Sequence, residues 1–213
     1  IRDLVNHHPR LLINCHRYYT RRYHGSLGHA QLQNILWAQD IGLKYKIFVM
    51  FSSNSFLIRP GMEDYVLKHT ATEKAYESSF LHRLKMNQIR KHPVGGWAPQ
   101  AVYSRVYAWE PFRKVILAKL GNNISADTVV LVHGKHEGAF FPYSVGIGLA
   151  TALKNEKDAL LSMLEQETYL EEFIFHTWAG LHKDQFQNAS GHSLVSFGPN
   201  RVGNHDTVRI DYA

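Results

Sequence analysis

Two near-continuous apolar runs, Lys46-Ile47-Phe48-Val49-Met50-Phe51 and Thr128-Val129-Val130-Leu131-Val132-His133, constrain this chain more than any other feature. A strand with one wet face alternates apolar and polar residues, so an unbroken run of β-branched and aromatic residues reads as a strand covered on both faces. Segments with helical spacing separate the runs. From Ser26 the residues Leu27, Ala30, Leu32, Ile35, Leu36 and Ala38 recur at that spacing, with Gly42 as a C-terminal stop. Pro60 stands where a helix over 62–69 would begin. Residues 72–91 read as a helix or helix pair, 92–97 as a loop, and 109–120 as a helix stopped by Gly121-Asn122-Asn123. Further helices are expected around 143–154 and 158–178, and short strands at 11–15, 194–197 and 208–211. This alternation predicts a layered α/β domain with a mixed, mainly parallel sheet flanked by helices. Ligands of such sheets gather at the carboxyl ends of the strands.

The length of 213 residues and a hydrophobic share of 45% suffice for one substantial core. No Pro/Gly/Ser-rich linker divides the chain, so residues 1–213 read as a single domain. The chain begins at Ile1 and ends at Ala213 inside an apparent strand over 207–212, which leads us to expect a fragment. Its one cysteine, Cys15, excludes an internal disulfide framework, and a reducing, cytoplasmic setting is the expectation. No stretch approaches the ~20 apolar residues of a membrane span. The net charge of +6 favours anionic partners. Only Arg17, Arg21 and Arg22 form a tight basic group, and no nucleic-acid-binding signature accompanies them. A small phosphorylated ligand and a solvated basic face both account for the excess, and no nucleic-acid partner is expected.

Three segments carry candidate chemistry. Ser52-Ser53-Asn54-Ser55 follows the first apolar run, and its hydroxyl and amide groups suit a sugar or phosphate; a turn satisfying its own backbone explains them equally. His133-Gly134-Lys135-His136-Glu137 is a polar loop without zinc-site spacing. The third segment, Tyr169-Leu170-Glu171-Glu172-Phe173-Ile174-Phe175-His176-Thr177-Trp178, sets two acids in an apolar, aromatic context. Desolvation raises a carboxyl pKa, which suits a base that takes a proton from a sugar hydroxyl. An amphipathic helix turning both acids to water accounts for the pair as simply. The chain lacks a P-loop, a Gly-x-Gly-x-x-Gly fingerprint and a Gly-x-Ser-x-Gly elbow, which counts against common nucleotidases, dinucleotide enzymes and serine hydrolases. It also lacks the Asp-x-Asp pair that holds a divalent ion in many glycosyltransferases, so no metal cofactor is expected.

The stretch Tyr23-His24-Gly25-Ser26-Leu27-Gly28, continuing through Trp37-Ala38, followed by Phe51-Ser52-Ser53-Asn54-Ser55-Phe56-Leu57-Ile58-Arg59-Pro60-Gly61, resembles the Core-2/I-branching N-acetylglucosaminyltransferase family and its microbial or viral relatives. In that family a "Tyr/Trp-x-Gly" segment opens a helix, and the next strand ends in a "Leu-Ser-x-x-Asp-x-Pro-Leu" loop beside the donor. Asn54 stands near the family's Asp. His136-Glu137-Gly138-Ala139-Phe140-Phe141 resembles the "Gly-Ser-Gln-Trp" segment, and Glu171-Glu172 with Thr177 resembles "Asp-Glu-x-x-x-x-x-Thr" with one intervening residue fewer, the Glu of which is the family's base.

The resemblance covers roughly residues 23–180. It implies a GT-A-type fold, a UDP-linked sugar donor, inversion at the anomeric carbon, a glycan or glycoconjugate acceptor, and basic side chains in place of a metal at the departing diphosphate. On this basis Glu172 is the expected base, with Glu171 orienting it or binding acceptor. Ser52, Ser53 and Asn54 would contact the donor, Lys183 or Arg201 the diphosphate, and His136, Glu137 and Trp97 the acceptor sugar. An animal member would work in the Golgi lumen rather than the cytoplasm. Two other readings stay open: a glycoside hydrolase or phosphohydrolase using Glu171, Glu172 and Glu137, and a non-catalytic carbohydrate-binding module on the same fold.

Overall fold

Residues 26–40 carry the periodic apolar stripe and form helix α1 (Ser26–Asp40), with Leu32, Ile35 and Leu36 turned into the core. Its end is a Schellman motif. The Leu43 amide donates to the Ala38 carbonyl and the Gly42 amide to that of Gln39, each at 2.9 Å, with Gly42 at φ +70°. A side chain at Gly42 would meet no neighbour, so only its left-handed backbone demands glycine.

The computed structural model of the chain describes residues 11–51, 60–70, 80–85, 99–121, 128–133, 138–181, 196–197 and 208–209. After α1 come β1 (Ile47–Val49), α2 (Met62–Thr70), β2 (Phe80–Lys85), α3 (Pro99–Ala108), α4 (Glu110–Leu120), β3 (Thr128–His133), β4 (Phe140–Pro142), α5 (Tyr143–Asn155) and α6 (Ala159–Ser162). Two 3-10 turns, Met163–Glu165 and Leu170–Glu172, lead into α7 (Ile174–Leu181), followed by β5 (Ser196–Phe197) and β6 (Val208–Arg209). All strand pairs among the described residues are antiparallel: β1 with β4, β2 with β3, and β5 with β6. The parallel pairing expected from the alternation of elements does not occur among them.

The core forms where α1, α4, α5 and α7 pack on one another and on the strands. Phe141 of β4 stacks on Phe48 of β1 at 5.4 Å and on Phe175 of α7 at 6.1 Å, which locks the β1–β4 ribbon onto the helical layer. Phe112, Leu149, Leu153 and Ile174 complete this fully buried centre. Such large side chains leave the core little freedom to rearrange, so the loops and turns it carries are held in place.

Several expectations are corrected by the fold. Residues 11–15 are not a buried strand, since Leu11, Leu12 and Ile13 are exposed and no regular structure forms there. The Asn14 side chain diverts the backbone: its oxygen accepts from the His16 amide at 2.9 Å while its nitrogen donates to Asn34 at 2.8 Å. Within 72–91, residues 80–85 form a strand, because register with β3 from Phe80↔His133 to Lys85↔Thr128 overrides any helical tendency. The other residues of that span lie outside the described residues. The long helix over 158–178 is broken into α6, two 3-10 turns and α7. Helix α3 lies in a stretch to which no element was assigned. Among the described residues, no helix is long and apolar enough to cross a membrane.

Candidate functional site at the start of α1 and the acidic turn

The chain approaches α1 through Tyr23, whose φ of +56° is unusual for a residue with a bulky side chain. His24 Nδ1 then accepts from the Ser26 amide at 3.2 Å, and Ser26 Oγ accepts from the Arg21 amide at 2.9 Å. These bonds tie the helix start into a compact knot in which His24, Ser26 and His29 are all buried.

The knot is clasped by a segment about 140 positions later. The Gly25 amide donates to the Gln166 carbonyl at 2.9 Å, and the Tyr23 ring meets Tyr169 edge-on at 6.1 Å. Arg21 also pairs with Glu167 at 2.9 Å, but both side chains are more than half exposed, so solvent leaves that pair little energy. Gly25 has no room for a Cβ, which would overlap the Met163 carbonyl oxygen. At Gly28 the nearest backbone is the Glu171 amide nitrogen, 3.5 Å from where a Cβ would stand. The first turn of a 15-residue helix thus abuts the turn that carries both acids. The positive end of a helix favours a carboxylate beside it.

The two acids differ sharply in environment. Glu171 is 2% exposed, as buried as Thr168, His176 and Thr177 nearby in sequence, whereas Glu172 is half-buried. Neither is a helix acid turned wholly to water. The Leu170–Glu172 turn is closed by Leu170 donating to the Thr168 carbonyl at 3.0 Å and Phe173 to that of Leu170 at 3.0 Å. A partly accessible carboxylate beside a buried one is an arrangement able to take a proton from an incoming hydroxyl.

The end of β1 expected to receive the donor is flanked by a second feature. A cavity of about 370 Å³ lies between α1 and β1 and reaches Phe51, the last described residue before Ser52, Ser53 and Asn54. Its walls are mainly apolar, but Gln31 Oε1 and Tyr45 Oη are buried there without a hydrogen-bond partner among the described residues. Burial pushes the Tyr45 phenol up to about 12, with the adjacent Tyr143 adding to the shift. Two unsatisfied polar groups in an apolar recess are what a small heterocyclic or hydroxylated ligand would find attractive.

Ser52, Ser53, Asn54, Trp97, His136, Glu137, Lys183 and Arg201 lie outside the described residues. Among the described residues, no group of three or more His, Cys, Asp or Glu side chains could hold a metal ion. The residues that sequence reasoning missed are His24, His29 and Thr168, whose burial no local pattern announces.

His29 carries a pH dependence. It is 6% exposed, touches the Tyr18 ring edge-on at 5.6 Å, and its Nε2 lies 3.3 Å from Gln33 Nε2. Burial lowers its pKa below the usual 6.5. A depressed folded-state pKa contributes stability that is present above about pH 6.5 and lost as pH falls through the folded value. The melting temperature of the wild type should therefore fall between about pH 7 and pH 5 more steeply than that of His29→Gln, which has no proton to gain there. Parallel curves for the two proteins would contradict a neutral buried His29.

No family model, curated protein or solved structure matches the chain.

Proposed function

We propose that the chain is an inverting glycosyltransferase that moves a sugar from a nucleotide-linked donor, UDP-linked by resemblance, to a hydroxyl of a glycan or glycoconjugate. The observation that carries this reading is the contact of Tyr23–Gly28 with the Leu170–Glu172 turn, two segments remote in sequence that each resemble a motif of one transferase family. Glu172, half-buried at the rim of that junction, would deprotonate the acceptor. Glu171, held in the interior, would position it. The oxygen then attacks the anomeric carbon in a single displacement, and a basic side chain, Arg201 or Lys183, offsets the charge on the departing diphosphate. The cavity beside Phe51 supports a donor site at the end of β1, continuing into Ser52, Ser53 and Asn54. A GT-A-like layered sheet and a mechanism without metal belong to the same proposal, as does a cytoplasmic or luminal place of work.

Thermal denaturation with UDP, GDP and CMP tests the reading. A ligand at tenfold its dissociation constant should raise the melting temperature by about 3–6 °C for a chain of this size. Stabilisation by UDP above the other two is the expected result. The proposal fails if none of the three nucleotides shifts the transition at about 5 mM.

A further inference from the structure

A second cavity, of about 470 Å³, lies between the start of α4 and the segment running from Lys157 to Thr168, which leads into the acidic turn. It shares no lining residue with the cavity beside Phe51. Trp109 supplies an apolar wall, fixed because its indole N–H donates to Ser162 Oγ at 2.9 Å.

Three features mark this cavity as built to hold a polar ligand. Thr168, 3% exposed, has a hydroxyl with no hydrogen-bond partner among the described residues. A buried hydroxyl left unmatched costs about 1–3 kcal/mol, a cost that a ligand can remove. Asp158 stands at the rim with φ +55°, a left-handed backbone uncommon outside glycine, and although it occupies the N-cap position of α6 its side chain does not cap the helix. Strain of this kind collects where function requires it. Asp158 and its neighbour Lys157 also make no ion pair among the described residues, while Glu110 and Glu167, which also line the cavity, are engaged by Lys114 and Arg21.

The lining selects the ligand class. Acids and bases are interleaved around the cavity, with Glu110, Asp158 and Glu167 against Arg105 and Lys157, so charge of neither sign dominates the lining. Carboxylate acceptors, ammonium and guanidinium donors, hydroxyls and an indole wall suit a neutral molecule dense in hydroxyl groups. We propose that this cavity is a saccharide-binding subsite that seats the acceptor glycan. Its role as acceptor site rests on the transferase reading. Thr168 lies three positions before Glu171, and its carbonyl accepts from Leu170 in the same turn, so a sugar held here is delivered to the acidic turn.

The test is a panel of neutral glycans presented to the full chain, followed by calorimetric titration of the best binder, with inorganic phosphate as the anionic control. Asp158→Asn keeps a residue that tolerates the left-handed backbone, and Thr168→Val keeps the shape without the hydroxyl. Each should weaken glycan binding about tenfold, with the thermal transition of Asp158→Asn unchanged. The inference is overturned if no glycan binds, if binding ignores both substitutions, or if phosphate binds and glycans do not. Glycan binding that depends on Asp158, in a chain that ignores every nucleotide, keeps the subsite and removes the transfer reaction. A response to UDP with no glycan bound at this cavity does the reverse.

Discussion

Glu172→Gln is expected to lower glycosyl transfer by about 10²- to 10⁴-fold, the range that a positioned general base contributes, while the thermal transition stays where it is. The reason is location. Glu172 is half-buried at the end of the acidic turn, so its carboxylate is open to an incoming substrate hydroxyl. Glutamine keeps the side chain's length and removes its basicity. Glu171→Gln should behave differently. Glu171 is 2% exposed, and an amide there puts N–H donors into an interior where the carboxylate Oε2 already lacks a hydrogen-bond partner among the described residues. A mismatch of that kind costs about 1–3 kcal/mol, so the melting temperature should drop as well as the rate. The measurements are nucleotide release from the donor under saturating acceptor, its pH profile, and thermal denaturation of both variants. The acidic limb of the profile should disappear in Glu172→Gln. Near-wild-type turnover in Glu172→Gln beside a well-folded, inactive Glu171→Gln would transfer the role of base to Glu171.

How much of this was legible in the sequence depends on how local each signal is. Helix α1 could be read because its apolar spacing and the Gly42 stop both act within the segment itself. The register of β3 could not, since its partner β2 reads Phe-Leu-His-Arg-Leu-Lys, a pattern that decides nothing until it meets a strand some 45 residues away. Helix α3 carried a usable signal that went unread. Pro99 is its first residue, and Val102 and Val106, one turn apart, are both buried. The break between α6 and α7 was hidden for a different reason. Apolar spacing continues through 158–178, but the Gln166 carbonyl is spent on Gly25 and the Thr168 carbonyl on Leu170, so the helical ladder cannot run through. The same diversion creates the candidate site. The acids attracted notice as a pair, yet what separates them, the burial of one against α1, is a long-range effect.

The junction itself can be tested by adding a single carbon. Gly25→Ala places a Cβ onto the Met163 carbonyl oxygen and within 3.0 Å of Leu170 Cδ1 and 3.1 Å of Gln166 Cβ. A backbone oxygen cannot rotate aside as a side chain can, so α1 and the 163–170 segment must separate, breaking the bond from Gly25 to Gln166. Overpacking a well-filled site costs about 1–3 kcal/mol and more where backbone must move. We expect a loss of at least about 3 kcal/mol, a fall of roughly 6–12 °C for a chain of this size. Gly28→Ala, one turn along the same helix, is the control. Its Cβ would come within 3.0 Å of Met163 Cε, the mobile tip of a flexible side chain, and within 3.4 Å of Ile174 Cδ1. The methionine can swing away, and alanine gains about 1 kcal/mol over glycine in a helix, so that variant should stay within a few degrees of the wild type. Glycosyl transfer should fail in Gly25→Ala even at temperatures where the chain remains folded, because the acidic turn would no longer rest on α1. A Gly25→Ala protein that melts with the wild type would mean that the two segments do not meet at Gly25, and the site built on their contact would fall with it.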